Sequence, residues 1–434
     1  MTERNLRLGD QSLISTLPAT GTGVPVVGAT LYARIPPARC TSLTSRGAAC
    51  LLSKRMEKEL KMAKVESLEA RTVVVPLAHP TSFARRTVTH RHFTLVRARG
   101  GGSEGLGFCY AGSVGGPVVT EAVRALLAPI VTGQESLRVK GIWEQAYHDL
   151  ILHGRAGSVM RALSAVDIAL WDLNARLAGL PLWQYLGAVS TGSVHAYASG
   201  GYYLQGKTPD DLAAEMLSYV KLGFHAVKLK IGRAAPAHDA ERVAAVREAV
   251  GPDVLVMLDA NNAWQDLPTA LRAVRSLEPY DPFWIEEPFG PDDIENHARL
   301  ARATPVTIAT GEIEAGRWAH RRLLEAGGAA ILQTDAAVCG GITEYQRIAA
   351  TADSYGATMA PHWFHDLHVH LVASTPNARY VEFFPDEKVF NFRELIDRQL
   401  EIGDNGTLCL PTTPGLGFGF AEDSVGRHAL DGWS

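Results

Sequence analysis

In its second half the chain repeats one unit over roughly 200 residues: a short apolar segment of strand length, then a helical segment. Eight such segments stand at 194–199, 226–231, 254–259, 283–286, 306–310, 330–333, 358–360 and 380–383, with helical stretches such as 238–250 and 269–277 between them. Apolar runs this short, alternating with helices, read as parallel strands buried on both faces. Eight alternations imply that the sheet closes into a barrel. A doubly wound open sheet is the competing arrangement.

The first half has another rhythm. Residues 65–76 and 91–98 alternate as strands do, 79–86 between them is polar and marked by Pro80, and 159–172 carries a helical period. Strands followed by helices predict an α+β domain. Residues 1–61 are rich in Ser, Thr, Gly and Pro, as in Pro18-Ala19-Thr20-Gly21-Thr22-Gly23, and predict a poorly ordered extension. Met62 is a candidate alternative start. The expected domains are therefore an extension (1–61), an α+β domain (62–187), the barrel (188–400) and a C-terminal segment (401–434).

Composition excludes several classes. A net charge of −4 argues against a nucleic-acid partner. No apolar run approaches the ~20 residues that span a bilayer, and no basic-then-apolar leader opens the chain, so a cytoplasmic location is expected. The five cysteines are scattered without a CxxC pair, which suits free thiols.

From the second barrel strand onward, each strand ends in ionisable residues: Lys228 and Lys230, then Asp259, Glu286, Glu312, Asp335, His362 and Glu382, spaced 20 to 29 residues apart. One strand-helix unit per step brings them all to the C-terminal mouth of a barrel, where barrel enzymes carry their sites. A single acidic residue after a strand is usually a solvated loop charge; seven successive strands make that explanation poor. Asp259, Glu286 and Glu312 are three hard oxygen ligands from neighbouring strands, and three converging carboxylates call for a cation. Magnesium suits them, with manganese as the alternative; zinc is disfavoured because no second His or Cys joins the set. Lys228 and Lys230 share the inner face of one strand, and a lysine beside a second cation in a dry site can serve as a base. Asp335 and His362 come from adjacent strands and form a candidate acid–base dyad.

Taken together, Lys228-Leu229-Lys230, Asp259-Ala260-Asn261, Trp284-Ile285-Glu286-Glu287-Pro288, Gly311-Glu312, Gln333-Thr334-Asp335 leading to Gly340-Gly341-Ile342-Thr343-Glu344, and Pro361-His362 resemble the enolase superfamily, and within it the mandelate racemase subgroup, which includes many acid-sugar dehydratases. The resemblance runs from about Val65 to the C-terminus. It implies a (β/α)7β TIM-like barrel under an N-terminal α+β capping domain, with the C-terminal segment returning to the cap. It implies Asp259, Glu286 and Glu312 as magnesium ligands, Lys230 as a base on one substrate face tuned by Lys228, and the Asp335–His362 dyad on the other. It further implies that Glu382 meets the substrate carboxylate as a hydrogen-bond donor or electrostatic partner, that Asn261 contacts substrate, that 79–85 is a mobile cap loop, and that the protein is a homo-oligomer.

The chemistry this predicts is removal of the proton beside a carboxylate, with cations offsetting the charge of the resulting enediolate. Loss of a β-hydroxyl then yields a 2-keto-3-deoxy acid. Polar candidates at the mouth (Trp363, His365, Asp366 and His368, with His79, Ser82 and Arg85 from the cap) favour a polyol acid and hence dehydration. The alternatives are a racemase or epimerase of a 2-hydroxy acid, and a catalytically silent barrel kept as a binding protein.

Overall fold

The structure, a computed structural model, describes residues 2–8, 11–17, 63–386 and 391–434. The chain divides into two units, Met1–Lys61 and Met62–Ser434. In the first unit, strands β1 (Thr2–Leu8) and β2 (Gln11–Leu17) pair antiparallel, with Leu8 opposite Gln11. This hairpin lies within the segment for which a poorly ordered extension is expected. The signal lay in the alternation Leu6-Arg7-Leu8 before Gly9-Asp10. The rest of residues 1–62 lies outside the described residues, and with it the question of Met62.

The second unit opens with a three-stranded antiparallel sheet of β3 (Ser67–Phe83), β4 (Arg86–Gly100) and β5 (Ser103–Tyr110). The 20-residue helix Ser158–Leu177 lies against it. They approach so closely that a Cβ on Gly107 would sit 1.9 Å from the Ala165 carbonyl oxygen, so only glycine fits there. The stretch 79–86 is not a loop. It forms the tip of the β3–β4 hairpin, whose pairing slips between Pro76 and Thr81 and resumes at Thr81 opposite Val88. Pro80 cannot donate to a ladder, which accounts for an interruption rather than an end to the pairing. The tip is fastened to the barrel side: Tyr203 N donates to Ser82 O (3.1 Å) and Arg233 Nη1 to Ala84 O (3.1 Å).

The barrel follows as β6 (Ser193–Ser199), β7 (Ala226–Lys230), β8 (Leu255–Asp259), β9 (Pro282–Glu286), β10 (Thr307–Thr310), β11 (Ile331–Leu332), β12 (Thr358–Met359) and β13 (Val381–Phe383), all parallel. These are the eight strands expected from sequence. The hydrogen-bonded order runs β12-β11-β10-β9-β8-β7-β6-β13. The seam between β12 and β13 is short: Met359 N donates to Asn377 O (2.9 Å) and Arg379 N to Met359 O (3.0 Å), just ahead of β13. Inside, Tyr197, Ala226, Met257, Trp284, Ala309 and Ile331 from successive strands pack into one apolar plug. Alternation places the next inward residue two positions on. Above Ala226 come Lys228 and Lys230, above Met257 comes Asp259, and above Trp284 comes Glu286.

The C-terminal segment adds β14 (Thr407–Cys409) antiparallel to β6 and then reaches the cap sheet, where Ala70 N donates to Ser434 O (2.9 Å) and Leu430 N to Thr72 O (3.0 Å). Two buried aspartates of the cap helix tie the parts together. Asp167 accepts from Thr343 N (2.9 Å) and Thr343 Oγ1 (2.6 Å) at the start of helix Ile342–Ser354. Asp172 accepts from Leu106 N (2.7 Å) in β5, Leu416 N (2.6 Å) in the C-terminal segment and Arg176 Nε (2.7 Å). Cys109, Cys339 and Cys409 carry free thiols; Cys40 and Cys50 lie outside the described residues. Among the described residues no helix is long and apolar enough to cross a membrane.

His370, on helix His365–Ser374, is buried neutral by its partners. Its Nδ1 accepts from Trp183 N (3.2 Å), so the proton sits on Nε2 and donates to Leu416 O (3.1 Å). Burial lowers its pKa to about 4 against the Leu416 hydrogen bond. The unfolded chain takes up this proton near 6.5. Stability should therefore fall as pH drops from about 6.5 to about 4, by about 3 kcal/mol at the acid end from this residue. Urea unfolding of the wild type and His370→Gln checks the sign. The wild type's advantage over the variant should shrink on acidification, and a constant gap would refute it.

Candidate active site

The strand-end residues converge. On the barrel floor, Lys228 is fully buried and its Nζ donates to Glu286 Oε1 (2.6 Å) and Oε2 (2.8 Å), with Glu382 Oε1 at 2.7 Å and Asp259 Oδ2 at 4.0 Å. Lys230 Nζ donates to Asp259 Oδ2 (2.5 Å), and Asp259 Oδ1 accepts from Asn261 N (2.8 Å). Burial alone would lower both lysine pKa values, but the surrounding carboxylates outweigh it and both are raised. While each is held on a carboxylate the two lysines are ammonium ions; a cation that took over Asp259 would remove the charge that raises Lys230 and leave it able to act as the expected base.

Across the mouth, His362 Nδ1 faces Asp335 Oδ2 at 3.1 Å and its Nε2 lies 3.5 Å from Glu312 Oε1. Burial opposes the charge, yet Glu312, Asp335 and Glu382 together lift its pKa to about 9, so His362 is an imidazolium that donates to Asp335. Asp335 is held in turn, since its Oδ1 accepts from Ala337 N (2.8 Å) at the head of helix Ala336–Cys339. His368 braces the same region from behind, accepting from Ala336 N (3.1 Å) and donating through Nδ1 to Trp363 O (3.0 Å). Glu382 accepts from Trp363 N (2.7 Å). Despite burial, the Lys228 charge brings its pKa down to about 2, so in this arrangement it is an anion and an acceptor.

A cavity of about 620 Å³ between cap and barrel exposes Lys230, Asn261, Glu312, Asp335, His362 and Trp363 together. Three residues expected from the cap, His79, Ser82 and Arg85, are absent from it. His79 and Arg85 are exposed and do not line it, because the hairpin slip leaves His79 outward and Arg85 falls in the turn. Phe83 and Arg86 line it instead, and Lys230 Nζ lies over the Tyr202 ring (5.2 Å) and the Phe83 ring (5.7 Å). His365, Asp366 and His368 are fully packed away and do not line the mouth either. Sequence reading also passed over Arg91, Arg161, Tyr110 and Glu287. Arg91 gave little signal, being one of four arginines in β4, and is buried in the structure. Glu287 should face away from Glu286 by alternation, but its φ of 43° turns the backbone, and burial with the charges of Asp259 and Glu286 raises its pKa to about 7. Asn261, Asn262 and Trp363 also have positive φ, so backbone strain gathers at this rim.

The buried carboxylates of Asp259, Glu286 and Glu287 and the partly exposed one of Glu312 stand against two ammonium groups. Burial and then the charges of its carboxylate neighbours raise the Glu312 pKa well above its ordinary value, and its buried Oε2 has no hydrogen-bond partner. Hard oxygen donors with uncompensated charge fit magnesium in kind. Among the described residues, however, no three His, Cys, Asp or Glu side chains are already gathered around one point, because the lysines occupy Glu286 and Asp259.

Residues 67–187 match the mandelate racemase/muconate lactonizing enzyme N-terminal domain, and 211–424 match the enolase C-terminal domain-like model. The chain belongs to the mandelate racemase/muconate lactonizing enzyme family. Within that family it is 34% identical over 371 residues to L-talarate/galactarate dehydratase of Salmonella typhimurium, covering 83% of this chain and 90% of that enzyme. It is likewise 34% identical to 3,6-anhydro-alpha-L-galactonate cycloisomerase of Streptomyces coelicolor, covering 78% and 92%. A crystal structure of L-talarate dehydratase from Polaromonas sp. JS666, complexed with Mg and L-glucarate, superposes with a TM-score of 0.79 at 33% identity, covering 86% of this chain and 99% of that one. These family members share the (β/α)7β barrel and its α+β cap with this chain.

Proposed function

We propose that this chain dehydrates an acid sugar to a 2-keto-3-deoxy acid with magnesium held by Asp259, Glu286 and Glu312. What supports this reading is that Lys230 and the Asp335–His362 dyad line one cavity, each beside carboxylates. β7 and β12 stand well apart in the strand order, so a substrate lying between their ends meets a different acid–base group on each face. Magnesium supplies positive charge where the enediolate's negative charge develops. Lys228, fixed between Glu286 and Glu382, adds a permanent positive charge beneath the site. His362, already protonated and pinned by Asp335, gives its proton to the departing β-hydroxyl. A leaving hydroxide needs that acid, which favours dehydration over simple racemisation. The named dehydratases among the relatives support the same choice.

Incubation with a panel of acid sugars and magnesium should produce a 2-keto acid. EDTA should remove the activity and added magnesium restore it. In deuterated water, exchange of the α-proton without any ketone would identify a racemase or epimerase instead. Activity undiminished by EDTA would overturn the metal assignment.

A further inference from the structure

His368, on helix His365–Ser374, is wholly buried, and both its ring nitrogens are committed to the backbone beside the dyad. Its Nε2 accepts from Ala336 N (3.1 Å), the amide directly after Asp335. Its Nδ1 donates to Trp363 O (3.0 Å), the carbonyl directly after the His362 peptide. The partners fix the tautomer. An amide only donates, so Nε2 is bare; a carbonyl only accepts, so Nδ1 carries the proton. Burial, which lowers the ring's pKa against the pull of Asp335, keeps it neutral. An apolar side chain of similar size would fill the same space and supply neither bond.

Each bond has a consequence for the dyad. Ala336 N and Ala337 N are consecutive amides at the head of helix Ala336–Cys339. His368 takes the first, and Asp335 Oδ1 takes the second (2.8 Å). His368 Nε2 stands 3.6 Å from that same carboxylate oxygen. With both amides satisfied, Asp335 Oδ2 is left to His362 Nδ1 at 3.1 Å. Without His368, Ala336 N would be a buried donor lacking a partner, and the adjacent Asp335 carboxylate would be drawn towards it and off His362. On the other side, Trp363 has a φ of 61°, which a bulky residue keeps only where its surroundings impose it. Its peptide groups are gripped at both ends, N by Glu382 Oε2 (2.7 Å) and O by His368. His362 is the residue immediately before, so its placement follows from that backbone.

We propose that His368 is a positioning residue for the elimination step, a neutral clamp that holds Asp335 and His362 together so that the imidazolium meets the departing hydroxyl. This rests on the dehydration reading above. It carries an asymmetry: none of His368's hydrogen bonds reaches β7, which carries Lys230. Loss of His368 therefore damages the acid and spares the base.

The test assays the full-length magnesium enzyme and its His368 variants for 2-keto acid formation and, in deuterated water, for exchange at the α-carbon. His368→Leu should lower kcat for the keto acid about a hundred-fold, the cost of a displacement near 1 Å, with KM and α-exchange changed far less. His368→Asn, which keeps a donor at the Nδ1 position, and His368→Gln, which keeps an acceptor at the Nε2 position, should each recover part of the loss. These two carry the comparison if the leucine variant does not fold. Equal losses of elimination and exchange, or variants as active as the wild type, would overturn the positioning role while leaving dehydration standing. A second measurement needs no substrate. The His362 Nδ1 proton, identified by proton NMR through its absence from His362→Asn, should be lost to solvent exchange in His368→Leu and retained in His368→Asn. Its unchanged persistence in His368→Leu would overturn the clamp. Its loss there, with no 2-keto acid from any acid sugar, would uphold the clamp and overturn the dehydration reading.

Discussion

His362→Asn is expected to lower kcat about a thousand-fold on any acid sugar the enzyme accepts, and Lys230→Ala at least as far. General acid–base groups contribute about 10²–10⁴-fold, and neither variant keeps a titratable group at its position. Asparagine can still donate to Asp335, which holds His362 at 3.1 Å, so geometry is preserved while the transferable proton is lost. Lys230→Ala removes the ammonium partner of buried Asp259, which costs stability unless a cation replaces it, so the variant is assayed in saturating magnesium. Deuterium exchange at the α-carbon then separates the two roles. A variant that still exchanges this proton without forming ketone has lost the acid; one that exchanges nothing has lost the base. Full activity in either variant would refute the site.

The second large effect concerns the fold. Asp172→Ala is expected to cost about 3–5 kcal/mol of stability, the range for breaking a buried charge pair. Asp172 is wholly buried and gathers Leu106 N, Leu416 N and the Arg176 guanidinium, from three separate parts of the unit. Its loss strands two buried amides and leaves Arg176 unpaired. Asp172→Asn, which retains an acceptor oxygen, should cost less. Urea unfolding measures both, and a change below about 1 kcal/mol for the alanine variant would show that the C-terminal segment is anchored by other contacts.

The barrel was legible because its strands are parallel and buried on both faces, so a segment such as Leu255 to Leu258 reads as an unbroken apolar run, closed by Asp259. The floor residues were legible for the same reason: a charge such as Asp259 ending such a run has nowhere to go but the mouth. The cap was harder. His79 and Arg85 look like loop residues, and only the pairing of Thr81 with Val88 makes the segment a hairpin that turns them outward. Arg91 and Arg161 belong to a strand and a helix with no sequence signal linking them; they become neighbours only through Tyr110 and the packing of cap on barrel. Glu287 was hidden by a backbone turn that strand alternation does not anticipate. Resemblance named the floor of the site, whereas the cap side of the cavity depends on tertiary contacts.

The stacking of reactive charges directly above an apolar plug has an evolutionary consequence. Ala226, Met257 and Trp284 lock the barrel together one pleat below Lys228, Asp259 and Glu286. Substitutions in the upper tier can therefore trade one reaction for another while the lower tier goes on holding the scaffold, so such a lineage can explore new chemistry without first surrendering its ability to fold.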